Sequence, residues 1–179
     1  MEAALDAAAA AGVETAVFHA DSRVLAEEWD DELVRECIYD AVRRIDDYAR
    51  ERGVEAVVEN LKGPFVDAGD FPDLFAETDA AMCLDTGHAR ATGHDGAWQA
   101  EFLRKHGDRV SHVHLNHTRR SDDDEHLPVG LGRVDFGALA DAIAETGWTG
   151  TCTHELFGFD LRYAAESKRA FDALLADGR

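Results

Sequence analysis

The sequence predicts a parallel α/β fold, and three observations carry that expectation. Short apolar runs rich in β-branched or small residues recur along the chain, longer stretches with helical spacing separate them, and every run carries His, Asp or Glu at its last or next-to-last position. Runs of that length and composition fit buried strands. Strands alternating with helices fit a parallel α/β sheet.

The elements follow in order. Glu2–Ala11 is alanine-rich and reads as a helix, and Val13–His19 is the first strand-like run. Trp29–Arg52 repeats apolar residues at Leu33, Cys37, Ala41, Ile45 and Tyr48, the spacing of one helical face, and Gly53 closes it. Val54–Asn60 is the second run, Phe71–Thr78 a helix and Ala80–Asp85 the third run. Trp98–His106 reads as a helix ended by Gly107, followed by a fourth run at Val110–Leu115. Phe136–Thr146 is a helix ended by Gly147, Gly150–Leu156 is the fifth run, and Arg162–Ala176 is the last helix. No Pro/Gly/Ser-rich linker or shift in composition divides the chain, so residues 1–179 read as a single domain. An open doubly wound sheet is the default for such a pattern, yet no glycine-rich dinucleotide or P-loop turn follows the first run.

Composition narrows the function. With 18 basic against 37 acidic side chains, the net charge is −19, which phosphate backbones would repel and which argues against nonspecific nucleic-acid binding. No apolar run approaches the ~20 residues of a membrane helix, and no basic-then-apolar signal pattern opens the chain. Cys37, Cys83 and Cys152 are odd in number and scattered, which fits a reducing cytoplasm. Lysine is rare, at positions 62, 105 and 168 alone, and acids cluster at Asp30-Asp31-Glu32, Asp46-Asp47 and Asp122-Asp123-Asp124-Glu125. A surface of this kind suits a salt-rich, halophilic cytoplasm, where its self-repulsion is screened.

The strand ends carry the chemistry. His19, Glu59, Asp85, His114 and Glu155 stand at the C-terminal ends of the five runs. In parallel α/β folds those ends share one face, where active sites are built. Each residue alone has an ordinary explanation as a helix cap or a core histidine; five together do not. His88 lies one tight turn beyond Asp85, and Asp124 and His126 lie in the loop after the fourth run. His, Asp and Glu without Cys suit Mn, Co, Mg or Zn. No HExxH helix is present, which argues against a zincin protease.

The strings Val-Val-Glu-Asn at 57–60, Leu-Asp-Thr-Gly-His at 84–88, His-Val-His-Leu-Asn at 112–116, Asp-x-His-Leu-Pro-Val-Gly-x-Gly at 124–132 and His-Glu-Leu at 154–156 resemble the xylose isomerase-like TIM-barrel superfamily. That superfamily includes sugar-phosphate isomerases and epimerases and zinc-dependent apurinic endonucleases. The resemblance implies an incomplete (β/α)8 barrel of about five C-terminal βα units, either a truncated length or one whose exposed sheet edges a partner, such as a second copy, covers. It implies a divalent metal held by Glu59, Asp85, His114 and Glu155, with His88 touching substrate or a second metal. His19, Asp124 and His126 match positions that extend the site in the nuclease branch. His117 stands where the family usually has an acidic residue.

The activity so implied is isomerisation or epimerisation of a small sugar or sugar phosphate through a metal-stabilised enediolate. Glu59 and Glu155 would remove and return the proton, and His19 and His88 would contact substrate. Arg119 or Arg120 could bind an anionic group, although solvated loop charge is the plainer reading. His112 reads as a core histidine. Two alternatives stand beside this: a multi-zinc apurinic-endonuclease-like phosphodiesterase, and an inactive remnant.

Overall fold

Strands and helices alternate as the spacing predicts, and their bounds follow from local chemistry. The computed structural model describes residues 1–21 and 28–177. Its elements are α1 (Glu2–Ala10), β1 (Thr15–His19), α2 (Asp31–Arg50), β2 (Glu55–Glu59), a 3₁₀ turn (Ala68–Asp70), α3 (Phe71–Glu77), β3 (Ala81–Asp85), α4 (Thr86–Ala91), α5 (Gly96–His106), β4 (Val110–Leu115), α6 (Phe136–Thr146), β5 (Thr151–His154) and α7 (Arg162–Asp177). Hydrogen bonding orders the strands β1-β2-β3-β4-β5, and the β1–β2, β2–β3 and β4–β5 pairs are parallel. Five parallel-strand βα units in chain order make an incomplete (β/α)8 barrel, the predicted class. The chain divides into two compact units, Met1–Cys83 and Leu84–Arg179.

In the first unit, α2 starts where Asp30 accepts a hydrogen bond from the Glu32 backbone, a cap that satisfies one of the orphan amides of a helix start. Its buried residues Val34, Ile38, Tyr39, Val42 and Ala49 recur at helical spacing and pack on β2, whose Ala56, Val57 and Val58 are fully buried. This is not the predicted stripe, of which Leu33, Cys37 and Ala41 are exposed and Ile45 and Tyr48 half-buried. Register pairs His19 with Glu59 and Glu59 with Cys83. The strand-end residues His19 and Glu59 therefore stand side by side, and Asp85 lies two residues beyond Cys83 on β3.

In the second unit, α5 packs on α6, and Leu103 on the first and Leu139 on the second are wholly buried. Trp148 fastens the return to β4 by donating its indole N–H to the Val110 carbonyl at 2.6 Å. Gly147 ends α6 in the left-handed conformation, at φ 66°.

Three further expectations need correction. The Asp85–His88 turn opens a six-residue helix, α4, because Asp85 caps it by accepting from the His88 amide. Thr-Gly-His-Ala-Arg-Ala has no apolar period, so the spacing did not announce it. The fifth strand is shorter than its apolar run and ends at His154, leaving Glu155 just outside; the Glu155 N–H donates to the Leu115 carbonyl at 3.2 Å, which keeps it beside β4. Finally, His112 is half-buried rather than core, and its Nδ1 lies 2.6 Å from the Thr151 hydroxyl.

Candidate active site

The first unit contributes a pair. Glu59 is buried at the end of β2, and its Oε2 lies 3.1 Å from Nε2 of His19, whose side chain is exposed. A buried carboxylate persists only when paired, hydrogen-bonded or bound to a metal.

The second unit gathers the other predicted residues. Asp85 is fully buried, and both of its oxygens are engaged: Oδ1 accepts from the His88 N–H and Oδ2 from the Asn116 side-chain amide, each at 2.6 Å. His114 leaves β4 with Nδ1 3.1 Å from Glu155 Oε2 and 3.9 Å from Asp85 Oδ2. His88, on the first turn of α4, places Nε2 2.8 Å from Asp124 Oδ2, and His126 Nδ1 lies 3.4 Å from the same oxygen. His126 Nε2 in turn lies 3.7 Å from Glu155 Oε2. Ligand-type atoms of Asp85, His88 and His126 all fall within 4.8 Å of one another. His126 adopts φ 47°, uncommon for a residue with a side chain. Backbone strain of this kind gathers at functional sites.

Electrostatics follow from the crowding. Hydrogen bonding to His114, then to His126, holds the Glu155 carboxyl well below the usual carboxylate range, outweighing burial. Burial opposes charge on His126, but Glu155 and Asp124 outweigh it and raise its pKa. The donors are carboxylates and imidazoles drawn to one place, the chemistry of a divalent-cation site.

Arg119 is committed elsewhere. Its guanidinium forks onto Glu125, its backbone N–H donates to the same carboxylate at 2.8 Å, and that contact lowers the Glu125 pKa to about 2. Arg120 pairs with Asp122. Both bonds shape the loop that carries Asp124 and His126.

Sequence reasoning missed the residues that hold this loop. His117 and Leu127 form a two-way backbone bridge. The His117 ring accepts from the Gly130 N–H at Nδ1 and donates from Nε2 to the Val134 carbonyl, both at 3.0 Å. Ser167, wholly buried on α7, accepts from the Val129 N–H and lies 2.9 Å from His154 Nδ1. Phe157 stacks on His126 with ring centroids 4.0 Å apart. For Asn116 and His117 a signal existed, since both directly follow the His-Val-His-Leu string; for Ser167 and Phe157 none did.

This fold and this set of strand-end donors define a class. The chain belongs to the xylose isomerase-like TIM-barrel family, whose model matches residues 1–175. Among relatives, an inosose dehydratase from Geobacillus thermodenitrificans (strain NG80-2) is 28% identical over an alignment of 158 residues that covers 77% of this chain and 50% of that protein. The chain thus spans about half the length of that relative. Among solved structures, a D-tagatose 3-epimerase-like protein superposes with a TM-score of 0.79 at 22% identity, covering 99% of this chain and 67% of that one. The IOLI protein with a bound zinc atom superposes with a TM-score of 0.75 at 19% identity, covering 99% and 66%.

Proposed function

We propose that this protein is a divalent-metal-dependent sugar isomerase or epimerase. The observation that supports the reading most is the gathering of Asp85, His88, His114, His126 and Glu155 within the second unit, carboxylate and imidazole together at the strand ends. The Val-Val-Glu-Asn motif implies the same ligand role for Glu59 in the first unit. Sugar-processing names among the relatives and neighbours, inosose dehydratase and D-tagatose 3-epimerase-like protein, agree with a sugar substrate.

A bound divalent ion would polarise the substrate carbonyl and lower the cost of negative charge developing beside it. The protein's own part is proton transfer and orientation. Glu155, ionised at neutral pH, removes the proton from the carbon beside the carbonyl, and Glu59 makes the returning proton transfer that its motif implies, or the two exchange roles. Return to the same carbon is epimerisation; return to the neighbouring carbon is isomerisation. His88 and His19 hold substrate hydroxyls, with Phe157 shielding the His126 side from water.

A second reading rests on the contacts of His88 and His126 with Asp124. These three would hold a further ion, as a phosphodiesterase of the apurinic-endonuclease type requires. The net charge of −19 weighs against a nucleic-acid substrate.

Ketoses incubated with the Mn²⁺- or Co²⁺-loaded protein in D₂O test the reading. Deuterium enters beside the carbonyl if it holds, and Glu155→Gln slows entry by about 10²–10⁴-fold. No exchange, together with three bound ions per chain, would favour the phosphodiesterase.

A further inference from the structure

We propose that Asn116 is the positioning residue of the candidate metal centre, and that the Asp85-Thr86-Gly87 turn is built to receive it; the inference rests on the metal-dependent reading above. Asn116 is completely buried one residue beyond β4, and its Nδ2 donates to Asp85 Oδ2 at 2.6 Å. The reverse amide orientation would set two oxygens at that distance, so the donor assignment follows from the carboxylate itself. A hydrogen bond to a buried charge is among the strong ones, because little water competes for either partner.

Each residue of the turn serves this contact. Thr86 clamps the Asn116 backbone: its hydroxyl accepts from the Asn116 N–H at 3.1 Å and donates to the Asn116 carbonyl at 2.8 Å. Asp85 takes the amide on one oxygen and the His88 N–H on the other, so its carboxylate plane is fixed from both sides while lone pairs remain for a cation. Gly87 makes room, for a Cβ there would lie 1.8 Å from Asn116 Oδ1. A glycine inside a helix is otherwise unfavourable relative to alanine. The need for space against Asn116 explains it.

Asn116 therefore acts through Asp85, setting the direction in which the carboxylate offers its oxygens. Partners of this kind around a metal ligand typically account for 10–100-fold in metal affinity. Gly87→Ala pushes the same amide away without touching its chemistry, so it should mimic loss of the amide.

The experiment is Co²⁺ titration of the full chain, read by calorimetry and by the visible absorption of the bound ion. Folding is checked by thermal unfolding in chelator. Asn116→Leu and Gly87→Ala are expected to weaken Co²⁺ binding by about 10–100-fold and to alter the visible band. In an Asn116→Ala background, Gly87→Ala should cost no further affinity, because its Cβ acts only through the missing amide. Asn116→Ala replaces Asn116→Leu in the comparison if the larger residue does not fold. Variants that unfold at lower temperature yet bind Co²⁺ like the parent, or additive losses in the double variant, overturn the positioning role and leave the metal reading intact. A parent chain that binds no Co²⁺ overturns the metal reading, and the positioning role falls with it.

Discussion

At the scale of single residues, the loop carrying Asp124 and His126 is held by neutral hydrogen-bonding groups as well as by the Arg119–Glu125 and Arg120–Asp122 pairs. Burial pushes the His117 pKa below its ordinary value, outweighing its backbone carbonyl contacts, so the folded protein keeps the ring neutral with Nδ1 free to accept from Gly130. The unfolded chain protonates near pH 6.5. Stability from this residue is therefore fully present above that pH and is lost as pH falls toward the lower folded-state value. Urea unfolding at pH 7.5 and 5.5 should show this slope, and the difference between the parent and His117→Leu isolates it from the opposite contribution of His126. Gly132 belongs to the same device: a Cβ there would lie 2.7 Å from both His117 Cδ2 and the Thr118 carbonyl oxygen. Ser167→Ala leaves the buried Val129 N–H without its acceptor and should cost about 1–3 kcal/mol in denaturant unfolding.

At the scale of elements, what was legible was whatever repeats. The α2 helix and the apolar β2 run announced themselves through their apolar content, but the α2 face was misplaced. Leu33, Cys37 and Ala41 are exposed, and the buried stripe is Val34, Ile38, Val42 and Ala49. A single helix carries more than one set of apolar residues at helical spacing, and only packing selects the one that is covered. Helix α4 is too short to show a period, and its start lies in the cap made by Asp85. The apolar run at residues 150–156 overstated β5, because Thr151, Cys152 and Thr153 are exposed although paired with β4. Two stability measurements check this account. Leu139→Ala, in the α5–α6 contact, should cost about 2–5 kcal/mol. Asp30→Ala, which removes the α2 cap, should cost about 1 kcal/mol.

At the scale of the whole molecule, charge dominates. A net charge of −19 on 179 residues repels itself strongly where the Debye length is ~10 Å, in 0.1 M salt, and much less where it is ~3 Å, at 1 M. Thermal unfolding should therefore shift upward from 0.1 M to 3 M KCl (about the range over which screening saturates), and equal stability at both would remove the salt-adapted reading. Exposed apolar side chains cluster just after Glu155, at Phe157, Phe159, Leu161 and Tyr163, beside the exposed residues of β5. Surfaces of this kind are commonly covered by another chain. Sedimentation is expected to show self-association that Phe159→Asp weakens.

The sequence by itself determined the βα order and which His, Asp and Glu residues stand at the strand ends, because alternating apolar runs and the residues near their ends are local properties of the chain. It also determined the charge, which needs no fold at all. Tertiary structure alone decided which side chains hold those residues in place. Asn116 reaches Asp85 across 31 positions, and Ser167 reaches Val129 across 38. Contacts that distant leave no period in the sequence: only folding brings the donor, the carboxylate and the space left by Gly87 to one point.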